Sequence, residues 1–238
     1  MRAKKEFGQH FLHDKQILQQ IIDGVSPLNS EDFIEIGPGQ GAMTKLLLPL
    51  VKSLLAIEID ADCVHVLSEL PKLSLVQQDV LTYPWHKIPE NSRVVGNLPY
   101  NIATEIFFVC LKASANIIDM HFMMQKEVAE RLIAQPGCKS YSRLSVMIQL
   151  RAKVERLFDI APDSFVPAPK VTSSFCRLQP IIDPWVIEHA GILDTVVAAA
   201  FSRRRKQCHH NLKRWFSKSD LENLGISPES RAENIAAI

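Results

Sequence analysis

Phe33-Ile-Glu-Ile-Gly-Pro-Gly-Gln-Gly41 is an apolar run ending in a glycine-rich turn, the arrangement of a nucleotide site. A chain that leaves a strand tip and opens a helix must turn tightly, and a ligand reaches its backbone only where no Cβ intervenes. Gly37, Gly39 and Gly41 suit that place. Glu58-Ile-Asp60 closes the next apolar run, 21 residues beyond Gly37. A carboxylate at that tip can accept both ribose hydroxyls of an adenosine. Gln77-Gln-Asp79-Val80 closes the third run, where Asp79 can accept from the exocyclic amine of adenine. A glycine-rich loop alone is an ordinary turn about as often as a site; the strand–turn–helix context and the trailing acid favour a nucleotide. The cofactor stays open at this point. Gly37, Gly39 and Ala42 also satisfy the relaxed GxGxxG/A fingerprint, so a nicotinamide-dependent oxidoreductase is a competing reading.

The fourth apolar run ends in Gly96-Asn-Leu-Pro-Tyr100, for which a dehydrogenase has no use. A Tyr83-x-x-x-Lys87 string contains Pro84 in a predicted loop, whereas a catalytic Tyr/Lys pair needs one helix face. Asn97-Leu98-Pro99-Tyr100 fits the [Asn/Asp]-x-Pro-[Tyr/Phe] pattern of adenine-N6 methyltransferases, and the chemistry explains the residue types. An aromatic amine is a poor nucleophile because its lone pair is delocalised into the ring. Two acceptors aimed at its N–H groups, the Asn97 side-chain oxygen and the Leu98 carbonyl, favour a more tetrahedral nitrogen. Pro99 fixes the turn and biases Leu98 toward an extended conformation. Tyr100 offers a ring on which an extruded base can stack. Neither a metal nor a strong general base is required.

These motifs need elements that hold them. Predicted strands cover 32–36, 54–59, 73–78, 93–97, 118–124, 143–153 and 174–178. Ile17, Leu18, Ile21, Ile22 and Val25 keep helical spacing behind Asp14, a capping residue. Further helices are predicted over 40–52, 61–70 and 101–113. Short β-runs alternating with helices predict an α/β layer fold with a mostly parallel sheet. Prolines 162, 167, 169, 180 and 184 punctuate the following stretch, and no strand pattern follows Pro184. Helices are expected over 195–201, 206–216 and 219–224, the last capped by Ser219. The predicted domains are therefore 1–180 and a small helical unit, 181–238.

With 47% hydrophobic and 22% charged residues, the 238-residue chain is not disordered. Its five cysteines are odd in number and widely spaced, without a CxxC or Cys/His pattern, which argues against a disulfide framework and a structural zinc site. The charged start lacks an apolar core, so no signal peptide is read there, and no run reaches the length of a membrane span. The net charge of +1 argues against a nucleic-acid binder, but it is unevenly distributed. Residues 1–150 carry 14 basic and 16 acidic side chains, whereas 199–218 carry seven basic ones and no acid. Met120–Met124, Met147 and His121 read as core, Trp215 and Phe216 as anchors of the small domain, and His209–His210 as a poor metal pair.

Beyond single motifs, the chain resembles the ribosomal RNA small-subunit adenine dimethyltransferase family over nearly its whole length. The landmarks are Phe7-Gly-Gln-His-Phe-Leu12, Glu35-Ile-Gly-Pro-Gly39, Gly96-Asn-Leu-Pro-Tyr100, Met124-Gln-Lys-Glu-Val128, Tyr141-Ser-Arg-Leu-Ser-Val146, Phe165-Val-Pro-Ala-Pro-Lys-Val171 and Arg231-Ala-Glu-Asn-Ile235. The resemblance implies a Rossmann-like class I methyltransferase sheet with a small all-helical C-terminal domain. It implies S-adenosylmethionine as cofactor and dimethylation of N6 on two adjacent adenosines in the 3′-terminal hairpin loop of 16S rRNA. The enzyme would act on immature 30S subunits in the cytoplasm, as a monomer, with a role in small-subunit biogenesis. Cofactor contacts would fall on His10, Leu12, Gly37, Gly39, Glu58, Asp79 and Asn97. The target base would fall on Asn97, Leu98, Pro99 and Tyr100, with Phe165 as a second stacking wall. His10 stands where many members have Asn. The chain ends at Ile238, where members usually continue through one more helix.

Arg203-Arg-Arg-Lys206 reads as a helix start contacting rRNA phosphate, with Lys4, Lys5 and Arg2 adding to it, against the bland reading of a solvated charge run. The competing functions are an erythromycin-resistance-type enzyme acting on 23S rRNA, a DNA adenine methyltransferase, the oxidoreductase above, and a catalytically idle ribosome-assembly factor. The intact Asn97–Tyr100 motif argues against the last.

Overall fold

A computed structural model describes residues 3, 4 and 7–237; Arg2 and Lys5 of the expected basic surface lie outside these. The elements run β1 (Phe11–Leu12), α1 (Lys15–Val25), β2 (Asp32–Ile36), α2 (Thr44–Leu47), β3 (Ser53–Glu58), α3 (Ala61–Leu67), β4 (Leu73–Gln77), β5 (Ser92–Asn97), α4 (Ala103–Leu111) and β6 (Ile117–Gln125). They continue α5 (Lys126–Ile133), α6 (Arg143–Gln149), β7 (Ala152–Ile160), β8 (Phe165–Val166), β9 (Ser173–Pro180), α7 (Pro184–Glu188), α8 (Ala190–Ala200), α9 (Cys208–Leu212) and α10 (Lys218–Asn223).

Among the described residues, seven strands form one sheet in the order β4-β3-β2-β5-β6-β9-β7, and β1 pairs with β8. Strands β4, β3, β2, β5 and β6 are mutually parallel, while β9 runs antiparallel to β6. The order reverses between β2 and β5. A ligand crevice forms outside the carboxyl ends of a parallel sheet at such a switch point, and those ends carry Gly37, Glu58, Asp79 and Asn97. The central strands β2, β3 and β5 are buried on both faces, which is why they read as apolar runs, whereas the edge strands β4 and β7 are mostly part-exposed. Asp14 caps α1 by accepting from the Gln16 and Ile17 N–H groups at 2.8 and 3.2 Å. Leu18, Ile21, Ile22 and Val25 then pack with Phe33, Leu54 and Phe175 in the main core.

The structure differs from the expected elements in three places. The strand expected over 143–153 is helix α6 followed by β7, which starts at Ala152. Ser142 and Ser145 start the helix, the Ser142 N–H donating to Ser145 Oγ at 3.0 Å. Its Val146, Met147 and Ile148 are buried; a continuous apolar run cannot by itself distinguish a buried helix from a strand. The helix expected over 40–52 is reduced to α2, because the glycine loop occupies its start. The cap of α10 is Ser217, not Ser219: its Oγ accepts from the Asp220 N–H at 3.1 Å.

The chain divides into two compact units, Met1–Ala129 with Glu155–Pro180, and Glu130–Val154 with Ile181–Ile238. The second unit thus takes in 130–154 as well as the residues beyond the expected cut at 180. The physical cause is a shared core: Tyr141, Val146 and Leu150 pack with Val186, Leu193 and Phe201. Trp215 does not anchor this unit, being 44% exposed with the Arg214 guanidinium 5.7 Å from its ring centroid; Phe216 packs on Cys208, Leu212 and Leu221.

Candidate active site

The strand ends of the first unit border one cavity of about 1700 Å³. Gly37, Gly39, Glu58, Asp79, Asn97, Leu98, Pro99, Tyr100, His10 and Leu12 all line it. Parallel strands place their carboxyl ends on one sheet edge, so Gly37 and Asn97, 60 positions apart, converge because Ile36 pairs with Gly96 in the neighbouring strand.

The glycine loop owes its shape to backbone that L-residues avoid. Gly39 has φ +57°, and a Cβ there would lie 2.9 Å from the Phe11 ring. The loop hands its N–H groups to the next strand tip. Glu58, 5% exposed, accepts from the Gly39 N–H at 3.0 Å through Oε2, and from Ile59 and Asp60 at 2.8 and 2.9 Å through Oε1. Burial pushes its carboxyl up, and these backbone donors pull it back. Three backbone donors thus fix the Glu58 carboxylate at the tip of β3. Asp79, half-buried just past β4, accepts from the Leu81 N–H at 2.9 Å. Glu35, which the sequence reading passed over, also lines the cavity at 1% exposure; Oε2 has no hydrogen-bond partner among the described residues.

At the tip of β5, Asn97 Nδ2 donates to the His10 carbonyl at 2.8 Å. That bond occupies a donor of the amide and sets its orientation, leaving Oδ1 as its acceptor. The Leu98 N–H donates to the Met123 carbonyl at 3.1 Å, which fixes the turn onto the sheet. The Tyr100 hydroxyl meets Ser173 Oγ at 2.7 Å, and its ring stacks with His10 at 5.5 Å between centroids and 23° between planes. One face of Tyr100 is therefore covered by protein. The His10 ring, expected at the cofactor, lines the cavity stacked on Tyr100, with Nδ1 2.6 Å from the Pro167 carbonyl.

Phe165 is not a stacking wall. At 2% exposure it sits in the main core opposite Leu12 in the β1–β8 pair, and a buried ring has no face for a base. The following residues, Val166 to Val171, line the cavity instead. Arg203–Lys206 are exposed, as a surface role requires, but they form a turn between α8 and α9 rather than a helix start. Arg204 is committed within its unit: Nε donates to Glu233 at 2.7 Å and Nη2 to the Lys139 carbonyl. His121 is a packed histidine at 1% exposure, and burial lowers its pKa to about 4. Among the described residues no cluster of His, Cys, Asp and Glu has metal-site geometry, and no helix is long and apolar enough to cross a membrane. Cys63, Cys110, Cys176 and Cys208 are buried and Cys138 is exposed.

Lys4, expected to add to an rRNA-phosphate surface, is instead paired with two carboxylates, and Gln9 and Asp60 were not anticipated from the sequence. Lys4 Nζ meets Asp60 at 2.6 Å and Asp62 at 2.8 Å, and Gln9 Nε2 donates to Asp60 at 2.8 Å. The signal available was Asp60 itself, an acid two residues past Glu58 that the ribose does not require.

A family model described as ribosomal RNA adenine dimethylase matches residues 1–237. The chain is 46% identical to the ribosomal RNA small subunit methyltransferase A of Legionella pneumophila (strain Corby), covering 98% of this chain and 93% of that one. It is 43% identical to the protein of the same name from Aromatoleum aromaticum, covering 98% and 90%. Among solved structures it is similar to a dimethyladenosine transferase from Plasmodium falciparum, with TM-score 0.79 and 27% identity over 96% of this chain and 94% of that one. The 23S rRNA methyltransferase ErmE, at TM-score 0.71 and 24% identity over 95% of each chain, shares the fold. With its seven-stranded sheet and its glycine loop, Glu58 and Asn97-Leu-Pro-Tyr100 bordering one cavity, the chain belongs to the ribosomal RNA adenine dimethylase family and has the class I methyltransferase fold.

Proposed function

We propose that this protein uses S-adenosylmethionine to dimethylate N6 of two adjacent adenosines in the 3′-terminal hairpin loop of 16S rRNA. It acts as a cytoplasmic monomer on the immature 30S subunit, with a role in small-subunit biogenesis. The observation that carries this reading is the Asn97–Tyr100 turn, set on the same cavity as Glu58 and Asp79 by its bond to His10.

The residues fit an adenosine cofactor. Glu58 is a preorganised acceptor for the ribose hydroxyls, Asp79 an acceptor for the adenine amine, and Gly37 and Gly39 leave the loop backbone open to close approach. When bound, the sulfonium supplies an activated methyl group and a good leaving group. The protein's part is positioning and electrostatics. Asn97 Oδ1 and the Leu98 carbonyl would accept from the target N6–H groups and localise the nitrogen lone pair. Tyr100 would stack on the base with the face that His10 does not cover, and Pro99 keeps the two acceptors in register. The small-subunit names of the relatives favour 16S over 23S rRNA.

Incubation with labelled S-adenosylmethionine and immature 30S particles, followed by mapping of methylated adenosines, tests the reading. Label on two neighbouring adenosines near the 3′ end is expected. Label on 23S rRNA alone would replace it with the erythromycin-resistance-type activity.

A further inference from the structure

The segment ahead of β1 touches both sides of the cavity. At one end, Lys4 and Gln9 converge on Asp60, which is 1% exposed and caps α3 by accepting from the Asp62 N–H at 3.1 Å. Gln9 Oε1 also accepts from the Lys4 backbone N–H at 2.8 Å, so the two residues brace each other. Asp60 donates its own N–H to Glu58 Oε1, the carboxylate on the cofactor side. At the other end, one residue past Gln9, the His10 carbonyl holds the Asn97 amide and the His10 ring lies on Tyr100. Between them, Gly8 at φ +59° lets the chain pass the target-base turn: a Cβ there would lie 3.3 Å from Asn101 Oδ1 and 3.9 Å from Pro99 Cβ. Four contacts thus join the Glu58 tip to the Asn97 tip through a stretch that belongs to neither strand.

The geometry points to Lys4 and Gln9 as positioning residues: by fastening the segment to Asp60, they hold the His10 carbonyl where it orients the Asn97 amide for the target amine. This rests on the function proposed above. Neither residue touches the reacting atoms. Their effect reaches the amine through His10 and Asn97, so it falls on turnover more than on cofactor affinity. A buried carboxylate that loses its donors must find others or draw in water, and the segment then loses its fixed register.

The test compares wild type with Gln9→Ala, Lys4→Met, the double variant and the conservative Lys4→Arg. On 30S particles with saturating S-adenosylmethionine, the double variant is expected to lose about tenfold or more in kcat while the cofactor KM changes less than about threefold. Lys4→Arg, which keeps charge and donors, is expected to retain wild-type turnover. A second readout needs no RNA. In protein carrying 15N-labelled asparagine, the Asn97 side-chain N–H signal is expected to be protected from exchange in wild type and exposed in the double variant. Unchanged Asn97 protection, or unchanged kcat with the loss confined to cofactor KM, would overturn the assignment. If wild type itself fails to methylate 30S particles, the functional reading fails, and the asparagine signal still decides the positioning role.

Discussion

Asn97 and His10 are 87 residues apart in sequence, and the side-chain amide of the first donates to the backbone carbonyl of the second at 2.8 Å. A carbonyl can only accept, so this contact fixes which end of the Asn97 amide faces it. In the function proposed above, the acceptor oxygen for the target amine would therefore be oriented before any substrate arrives, with the cost of turning the amide met in folding.

Replacing Asn97 with Ala is expected to lower methyl transfer by about 100-fold or more, the usual loss when one preorganised polar group at a reacting centre is removed. Cofactor affinity should change only a few-fold, because Glu58 and Asp79 remain. Single-turnover transfer and calorimetric titration of S-adenosylmethionine measure the two quantities separately. Unchanged turnover would refute the role of Asn97.

Glu58 accepts three backbone N–H groups and stands where the ribose diol would bind. Glu58→Gln keeps the shape but replaces one acceptor oxygen by a donor facing those N–H groups. A charged hydrogen bond contributes about 1.5–3 kcal/mol, so cofactor affinity should fall by about 10- to 100-fold. Calorimetric titration reads this directly; an affinity within twofold of wild type would remove Glu58 from the cofactor site.

Burial pushes the Glu35 carboxyl up to about 7, with Thr44 partly offsetting the rise and the Glu58 charge adding to it. Between pH 4.5 and 7 the unfolded chain releases this proton while the folded chain keeps it. The stability it contributes is complete below pH 4.5 and is lost as the pH rises through 7. Glu35→Gln removes that dependence. Urea unfolding should show the variant gaining on wild type by about 2–3 kcal/mol between pH 5 and pH 8. A difference independent of pH would mean that Glu35 is ionised in the folded protein throughout.

Arg203 and Arg205 are exposed, whereas Arg204 is held by Glu233 and the Lys139 carbonyl. The informative variant is therefore Arg203→Ala with Arg205→Ala. If both contact rRNA phosphate, the slope of log affinity against log salt should shallow by about one per arginine, with the melting temperature unchanged. Filter binding to 30S particles at several salt concentrations checks this. An unaltered slope would leave the segment a solvated face.

The Glu58, Asp79 and Asn97 positions were legible in the sequence because each ends an apolar run, and in a parallel sheet every such end falls on one edge. The order of motifs along the chain thus implied their neighbourhood in space. Asp14 and the helix behind it were legible for the same reason, since capping and periodicity are local. Tertiary structure alone decided the rest. Whether 143–149 is helix or strand depended on the partners that bury it, Phe165 lost its expected face to the core, and Arg204 found Glu233 29 residues away. The Lys4–Asp60 and His10–Asn97 contacts join segments 56 and 87 residues apart. No local pattern encodes such pairings, because which donor meets which acceptor is set only when the chain closes on itself.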